Sequence, residues 1–204
     1  MGGGKARIAV LVSGGGTNLQ ALIDAQSRGE IPHGEIVLVI ANKADAYALT
    51  RAETAGIPGV VITKKACGGD QEAFEDAIIA QLEACEIDLV VLAGFMAILS
   101  KRFTDTYPKR ILNVHPSLIP SFCGEGFYGL RVHEAALAKG VKVTGATVHY
   151  VNEIPDGGEI ILQKAVNIRP DDTPESLQKR VMRLAEWKIL PRAVELVSAE
   201  LVNR

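Results

Sequence analysis

Short, continuously apolar runs alternate with helix-patterned segments through the first half of the chain, and this alternation constrains the fold more than any other feature. Arg7–Val12, Ile36–Ala41, Val60–Thr63, Leu89–Ala93 and Ile111–Val114 show no regular polar alternation, so each predicts a strand covered on both faces. Between them, Asn18–Arg28, Ala44–Ala55 and Gln71–Cys85 predict helices. Leu19, Leu22 and Ile23 are helically spaced in the first, as are Phe74, Ile78, Ile79 and Leu82 in the third, and Gly29 and Gly56 close the first two. Strand followed by helix, repeated, implies an open, mostly parallel α/β sheet with helices on both faces.

After Pro120 the texture changes. Ser121–Gly129 is rich in glycine and aromatics and predicts an ordered loop, and Leu130–Lys139 predicts a helix stopped by Gly140. Val143–Val151 and Ile160–Val166 are β-rich around a turn at Pro155–Gly158, which suggests antiparallel strands added to the sheet. Thr173-Pro174-Glu175 opens a last helix, expected to run to about Pro191 or beyond it. One domain over 1–204, with 1–5 as a short tail, is the simplest organisation, since no repeat or linker interrupts the pattern.

A formal net charge of -2, with no lysine–arginine cluster, argues against nucleic acid as a partner. Cys67, Cys85 and Cys123 are an odd, scattered set, which reads as free thiols in a reducing compartment. No apolar run approaches the roughly 18 residues that span a bilayer. A cytoplasmic protein is expected.

Asn113 and His115 stand two residues apart where the fifth apolar run ends. Side chains at i and i+2 of an extended segment point the same way, so the amide and the imidazole can converge on one reacting atom. The end of a buried strand is also where an open sheet places its chemistry. Ser13-Gly14-Gly15-Gly16-Thr17-Asn18 falls between the first strand and the first helix. Glycines there admit a ligand close to backbone amides, and a helix N-terminus adds free N–H groups and a positive dipole end. The loop lacks the lysine of an ATP-binding loop. It also has Leu19 where a dinucleotide loop needs its third glycine, and the second strand ends at Ala41-Asn42 without a ribose-binding acid. A monophosphate fits better than ATP or NAD, and a tight turn without ligand is the other reading of the loop alone.

Asp156, followed by Gly157 and Gly158, lies in a second polar cluster. A neighbouring carboxylate raises a histidine pKa, so Asp156 is expected to orient His115 and favour its imidazolium form. Asn113 is suited to donate to a developing oxyanion. Ser117 sits in a proline loop and Cys123 has no evident base, so the attacking group is expected to belong to a substrate. Taken singly, His115 also reads as a loop cap, Asp156 as a turn aspartate and Glu186 as part of a solvated helix face. His115, His133 and His149 share no compact ligand spacing, and no metal is expected.

Four stretches together resemble the glycinamide ribonucleotide formyltransferases of the folate-dependent formyltransferase family. They are Ala9 to Gln20, Leu92 to Ser100, Asn113 to Leu118, and Gly145 to Val151 followed by Asp156. They occur in the family's order, over nearly the whole chain. The resemblance implies a Rossmann-like formyltransferase fold and transfer of the formyl group of 10-formyltetrahydrofolate to the amine of glycinamide ribonucleotide, in purine synthesis. It implies two small-molecule partners, no metal, no nucleic acid or membrane, and a monomer or homodimer. Carried over, Asn113, His115 and Asp156 are catalytic. Gly14, Gly15, Gly16, Thr17, Asn18, Gly94, Pro116 and Glu186 hold the ribonucleotide, with Glu186 at the amine. Leu92, Met96, Ala97, Ile98, Leu99, Ile111, Val151, Asn152, Glu153, Ile154 and Pro155 hold the folate. The chain departs from the commoner pattern at Ala97 and Gln71, where members carry arginine near the folate's glutamate tail. It departs again at Pro155, which replaces an aliphatic residue, and in a Ser121–Gly129 loop longer than in some members.

Overall fold

Alternation within each buried strand decides which helices it can face. In β1 (Ala6–Val12), Ile8, Val10 and Val12 point to one core while Ala9 and Leu11 point to the other. Beyond the exposed Arg7 the strand is therefore apolar, as a covered parallel strand is. A computed structural model describes residues 4–203, so part of the predicted tail lies outside the described residues. β1 is joined by β2 (Gly34–Ala41), β3 (Gly59–Val61), β4 (Leu89–Leu92), β5 (Ile111–His115), β6 (Val143–Tyr150) and β7 (Ile160–Asn167) in one sheet ordered β3-β2-β1-β4-β5-β6-β7. β1 to β5 pair in parallel, and β6 and β7 add in antiparallel fashion.

The first core contains Leu19 and Leu22 of α1 (Thr17–Ser27), Ala48 and Ala52 of α2 (Ala48–Thr54), Leu177 of α6 (Pro174–Val181) and Leu190 of α7 (Trp187–Val202). The second contains Phe74, Ile78 and Leu82 of α3 (Gln71–Ala84) and Phe103 of α4 (Lys101–Thr106). α5 (Leu130–Lys139) packs beside α6. From β1 the chain moves outward through β2 and β3, then returns to β4 on the other side of β1. The loops after β1 and β4 therefore diverge at the strands' C-terminal ends, and a crevice opens between them. They remain tied at one point: Ser13 Oγ accepts from the Met96 N–H at 2.8 Å.

The last helix is not continuous. It is interrupted by a π-helical turn at Met182–Glu186, and α7 then runs through Pro191. Pro191 cannot donate to the carbonyl of Trp187 four residues earlier, and the π turn ends one residue before that carbonyl. The periodicity had also predicted no helix at α4, which is one turn and a half long. Ser100 caps it, its Oγ accepting from the Phe103 N–H.

Behind α4, a buried carboxylate fixes the β4–α4 loop. Glu75 accepts from the Ser100 N–H and from Gln71 Nε2, both at 2.7 Å, and also bonds the Ser100 hydroxyl. Gln71 in turn donates to the Ile98 carbonyl at 3.1 Å and accepts from Lys64 Nζ at 3.0 Å. Glu75→Ala would leave these buried donors without their acceptor. A loss of about 3 kcal/mol is expected, read as a lower denaturation midpoint with an unchanged slope.

Candidate active site

The register between β5 and β6 builds the centre of the site. It sets Asn113 opposite His149 and His115 opposite Thr147. All four share the sheet face on which Ile111 meets the α3–α4 core. A bulge in the β6–β7 pairing falls between Val148 and His149, where β6 approaches its end. The chain then turns through residues 151–158, and Asp156, at φ 55°, swings back over the two histidines. Its Oδ2 lies 3.3 Å from His115 Nδ1 and its Oδ1 lies 3.4 Å from His149 Nε2.

His115 meets an acceptor at each ring nitrogen. Nε2 lies 2.8 Å from the Phe122 carbonyl, and Nδ1 faces Asp156. The imidazolium would satisfy both and the neutral ring only one. Burial nevertheless outweighs the Asp156 charge and the Phe122 carbonyl, and pushes the His115 pKa below the ordinary histidine range. Asp156 does act to raise it, as expected, but His115 is only 4% exposed and desolvation of the cation is the larger effect, so the net shift is downward. Asp156 moves the other way. Burial alone would raise it, but the His149 hydrogen bond, the His115 charge and the Gly124 N–H at 2.9 Å hold it below the usual aspartate range.

His149 was read only as one of three scattered histidines. Here it is buried and completes the cluster. Its Nδ1 lies 2.8 Å from the Tyr150 carbonyl, which accepts only, so Nδ1 donates. Its Nε2 lies between two groups, 3.3 Å from Asn113 Nδ2 and 3.4 Å from Asp156 Oδ1. The signal for His149 was available in the sequence, two residues from Val151 on the strand that pairs with the Asn113–His115 run. His133, the third histidine, is fully buried on α5 with both ring nitrogens unpartnered, and burial lowers its pKa to about 4. Among the described residues no three His, Cys, Asp or Glu side chains form a group that could hold a metal ion.

Asn113, His149 and Asp156 form the inner end of an open cleft of about 130 Å³. Leu92, Ala97, Ile98, Leu99, Val151, Asn152, Glu153, Ile154 and Pro155 line the rest. Phe95 lines it too, and sequence reasoning missed it. Met96 and Ile111 are not in the lining: Met96 is half exposed, and Ile111 is wholly buried beneath. Pro116 follows His115 directly, and Gly94, at φ 72°, starts the loop that carries Phe95 to Leu99.

Across the crevice, Gly14 and Gly15 are exposed and Gly16, at φ 70°, precedes α1 without any side-chain cap. The Asn18 side chain does not stand free. Its Nδ2 donates to Glu186 Oε2 at 2.8 Å. Glu186 is only 6% exposed, which overturns its reading as a solvated helix position. It stands three and four residues before the buried Ile189 and Leu190, on the inward face of the helix. Burial raises its pKa to about 7, against the smaller opposing effect of Asn18.

The sign of the linkage follows. The folded protein holds this proton more tightly than the unfolded chain, so the group opposes folding increasingly as pH rises from the ordinary glutamate range through about 7. Glu186→Gln should therefore raise Tm at about pH 8, with the gain shrinking toward about pH 4. Thermal melts across that range check it.

The formyl transferase family model matches residues 6–194. The chain is 50% identical over 199 residues to the trifunctional purine biosynthetic protein adenosine-3 of Bos taurus, a match covering 98% of this chain and 19% of that protein. The chain thus spans about a fifth of the length of such relatives. It is 45% identical to the phosphoribosylglycinamide formyltransferase of Haemophilus influenzae, covering 93% of this chain and 85% of that one. The glycinamide ribonucleotide transformylase 1 of Symbiobacterium toebii superposes with a TM-score of 0.89 at 42% identity, covering 96% of this chain and 89% of that one.

Proposed function

The chain belongs to the formyl transferase family, and we propose that it transfers the formyl group of 10-formyltetrahydrofolate to the amine of glycinamide ribonucleotide. The described residues would act as one domain. One observation carries the mechanism: a single carboxylate, Asp156, bridges two buried histidines beside the Asn113 amide, at the inner end of a cleft.

In this reading the pterin lies in that cleft, between the loops after β4 and β6. Its apolar wall includes Leu92, Leu99 and Val151, and the formyl carbon faces Asn113 and His115. The ribonucleotide phosphate sits on the amides of Gly14 to Asn18, and Glu186 receives the amine end. The neutral amine attacks the formyl carbon and a C–N bond forms. The carbonyl oxygen becomes an oxyanion, to which Asn113 Nδ2 and a His115 N–H donate. The amine proton passes, through water, to the folate nitrogen as its bond to carbon breaks. Asp156 orients His115, favours its charged form and helps to move that proton through water. The products are formylglycinamide ribonucleotide and tetrahydrofolate. No enzyme nucleophile is required.

The test is a spectrophotometric assay with 10-formyltetrahydrofolate, run with and without glycinamide ribonucleotide. Tetrahydrofolate formed only with the ribonucleotide supports transfer. Equal formation without it would make the protein a hydrolase of formyl folate. No product from folded protein would end both readings.

A further inference from the structure

A loop of three consecutive glycines is open enough to admit a phosphate, but too free to hold its amides in one direction unaided. Something outside the loop has to orient it. The carbonyl of Gly14 accepts from the Ala48 N–H at 3.1 Å, and the carbonyl of Gly15 accepts from Arg51 Nε at 2.8 Å. In a planar trans peptide, C=O and N–H point in opposite directions. Tying these two carbonyls to α2 therefore turns the N–H groups of Gly15 and Gly16 to the other side. The loop itself is exposed, and a Cβ at Gly14 or Gly15 would meet nothing within 4 Å. Gly16 seals the contact, because a Cβ there would lie 2.7 Å from Ala48 Cβ.

Arg51 is itself fixed. Its Nη1 donates to Gln20 Oε1 of α1 at 2.9 Å, and its guanidinium lies 5.1 Å from the centre of the Tyr47 ring. One side chain thus links α2, the glycine loop and α1. We propose that Arg51 is a positioning residue for the ribonucleotide phosphate, acting by holding the Gly15 carbonyl away from the anion. Released, that peptide could rotate and present its oxygen to the phosphate, replacing an attraction by a repulsion. Lysine would not substitute fully, because it lacks the planar fork that serves Gly15 and Gln20 together.

The inference rests on the phosphate reading of the loop given above. Its test uses wild type, Arg51→Met and Arg51→Lys. Inorganic phosphate affinity is measured by calorimetry, and KM is measured for each substrate. The expected result is an affinity for phosphate about tenfold weaker in Arg51→Met, the scale of one hydrogen bond to a charged group. The ribonucleotide KM should rise in parallel while the folate KM stays in place, and Arg51→Lys should fall between. Unchanged phosphate affinity in folded Arg51→Met would overturn the proposal, as would an equal rise in both KM values. If Arg51→Met does not fold, Arg51→Lys decides by the same criteria. Wild type that binds phosphate but turns nothing over would sink formyl transfer and leave the clamp to be judged on phosphate alone. Wild type that binds no phosphate would overturn the clamp.

Discussion

His115→Ala is expected to lower kcat by about 100-fold or more, and Asp156→Asn by a similar factor, with little change in Tm for the second. The reasoning starts from geometry. His115 and Asp156 are 3.3 Å apart, and Asp156 also reaches His149. Asparagine keeps the shape of that bridge but removes the charge, so one of its two contacts becomes a donor facing a histidine. Orientation of the ring and movement of the proton are lost together. Burial adds to the effect: His115 is already below the ordinary histidine range, and removing the one anion beside it disfavours the cation further. The alkaline limb of the pH–rate profile, where His115 loses its proton, should therefore move to lower pH in whatever activity Asp156→Asn retains. Near-normal turnover in both variants would end the proposed mechanism.

Gly158→Ala should be the most damaging of the small substitutions near the site. A Cβ at Gly158 would lie 1.7 Å from the carbonyl oxygen of Tyr150 and 2.7 Å from its carbon. Both are backbone atoms at the end of β6, and the Tyr150 N–H donates to the Glu159 carbonyl at 2.9 Å, so neither side can step back without opening the strand ends. A cost of about 3 kcal/mol is expected, a fall in Tm on the order of 10 °C for a domain of this size. Turnover should drop by more than the folded fraction does, because Asp156 is carried on the same turn. Gly157→Ala is the milder comparison: its Cβ would lie 2.7 Å from Ile154 Cβ and 3.3 Å from the Ile154 carbonyl oxygen, a strain confined to one exposed loop that leaves the strand ends paired. Equal melting temperatures for the two variants would refute the argument.

The sheet was legible because a strand covered on both faces must be apolar along its covered length, and β1 after Arg7, β2 after Glu35, β4, and β5 before Asn113 are. The Asn113–His115 pair was legible for a related reason: two polar residues at the end of such a strand have few structural uses. Elements with weak periodicity were not. α4 is too short to show a period, and it owes its place to the Ser100 cap and the buried Glu75. The predicted start of α2 at Ala44 came from helix-forming composition, whereas the helix begins at Ala48, against the glycine loop. Glu186 is in helical register with the buried Ile189 and Leu190, but a charged side chain beside Trp187 reads as solvated until its burial is seen. The balance at His115 could not be read either, since the sequence shows that a carboxylate is available but not how little water reaches the ring.

The Phe122 carbonyl on His115 Nε2 acts as an internal competitor. Any ligand oxygen that takes this position exchanges one acceptor for another and does not gain a bond outright. A neutral formyl oxygen is about as good an acceptor as the carbonyl it replaces, so the exchange yields almost nothing in the ground state. An oxyanion accepts roughly twice as strongly, and the exchange becomes favourable only as charge develops. By occupying the donor beforehand, the loop subtracts the same amount from both states and leaves the difference between them intact. The interaction is thereby reserved for the transition state, which is where it accelerates the reaction.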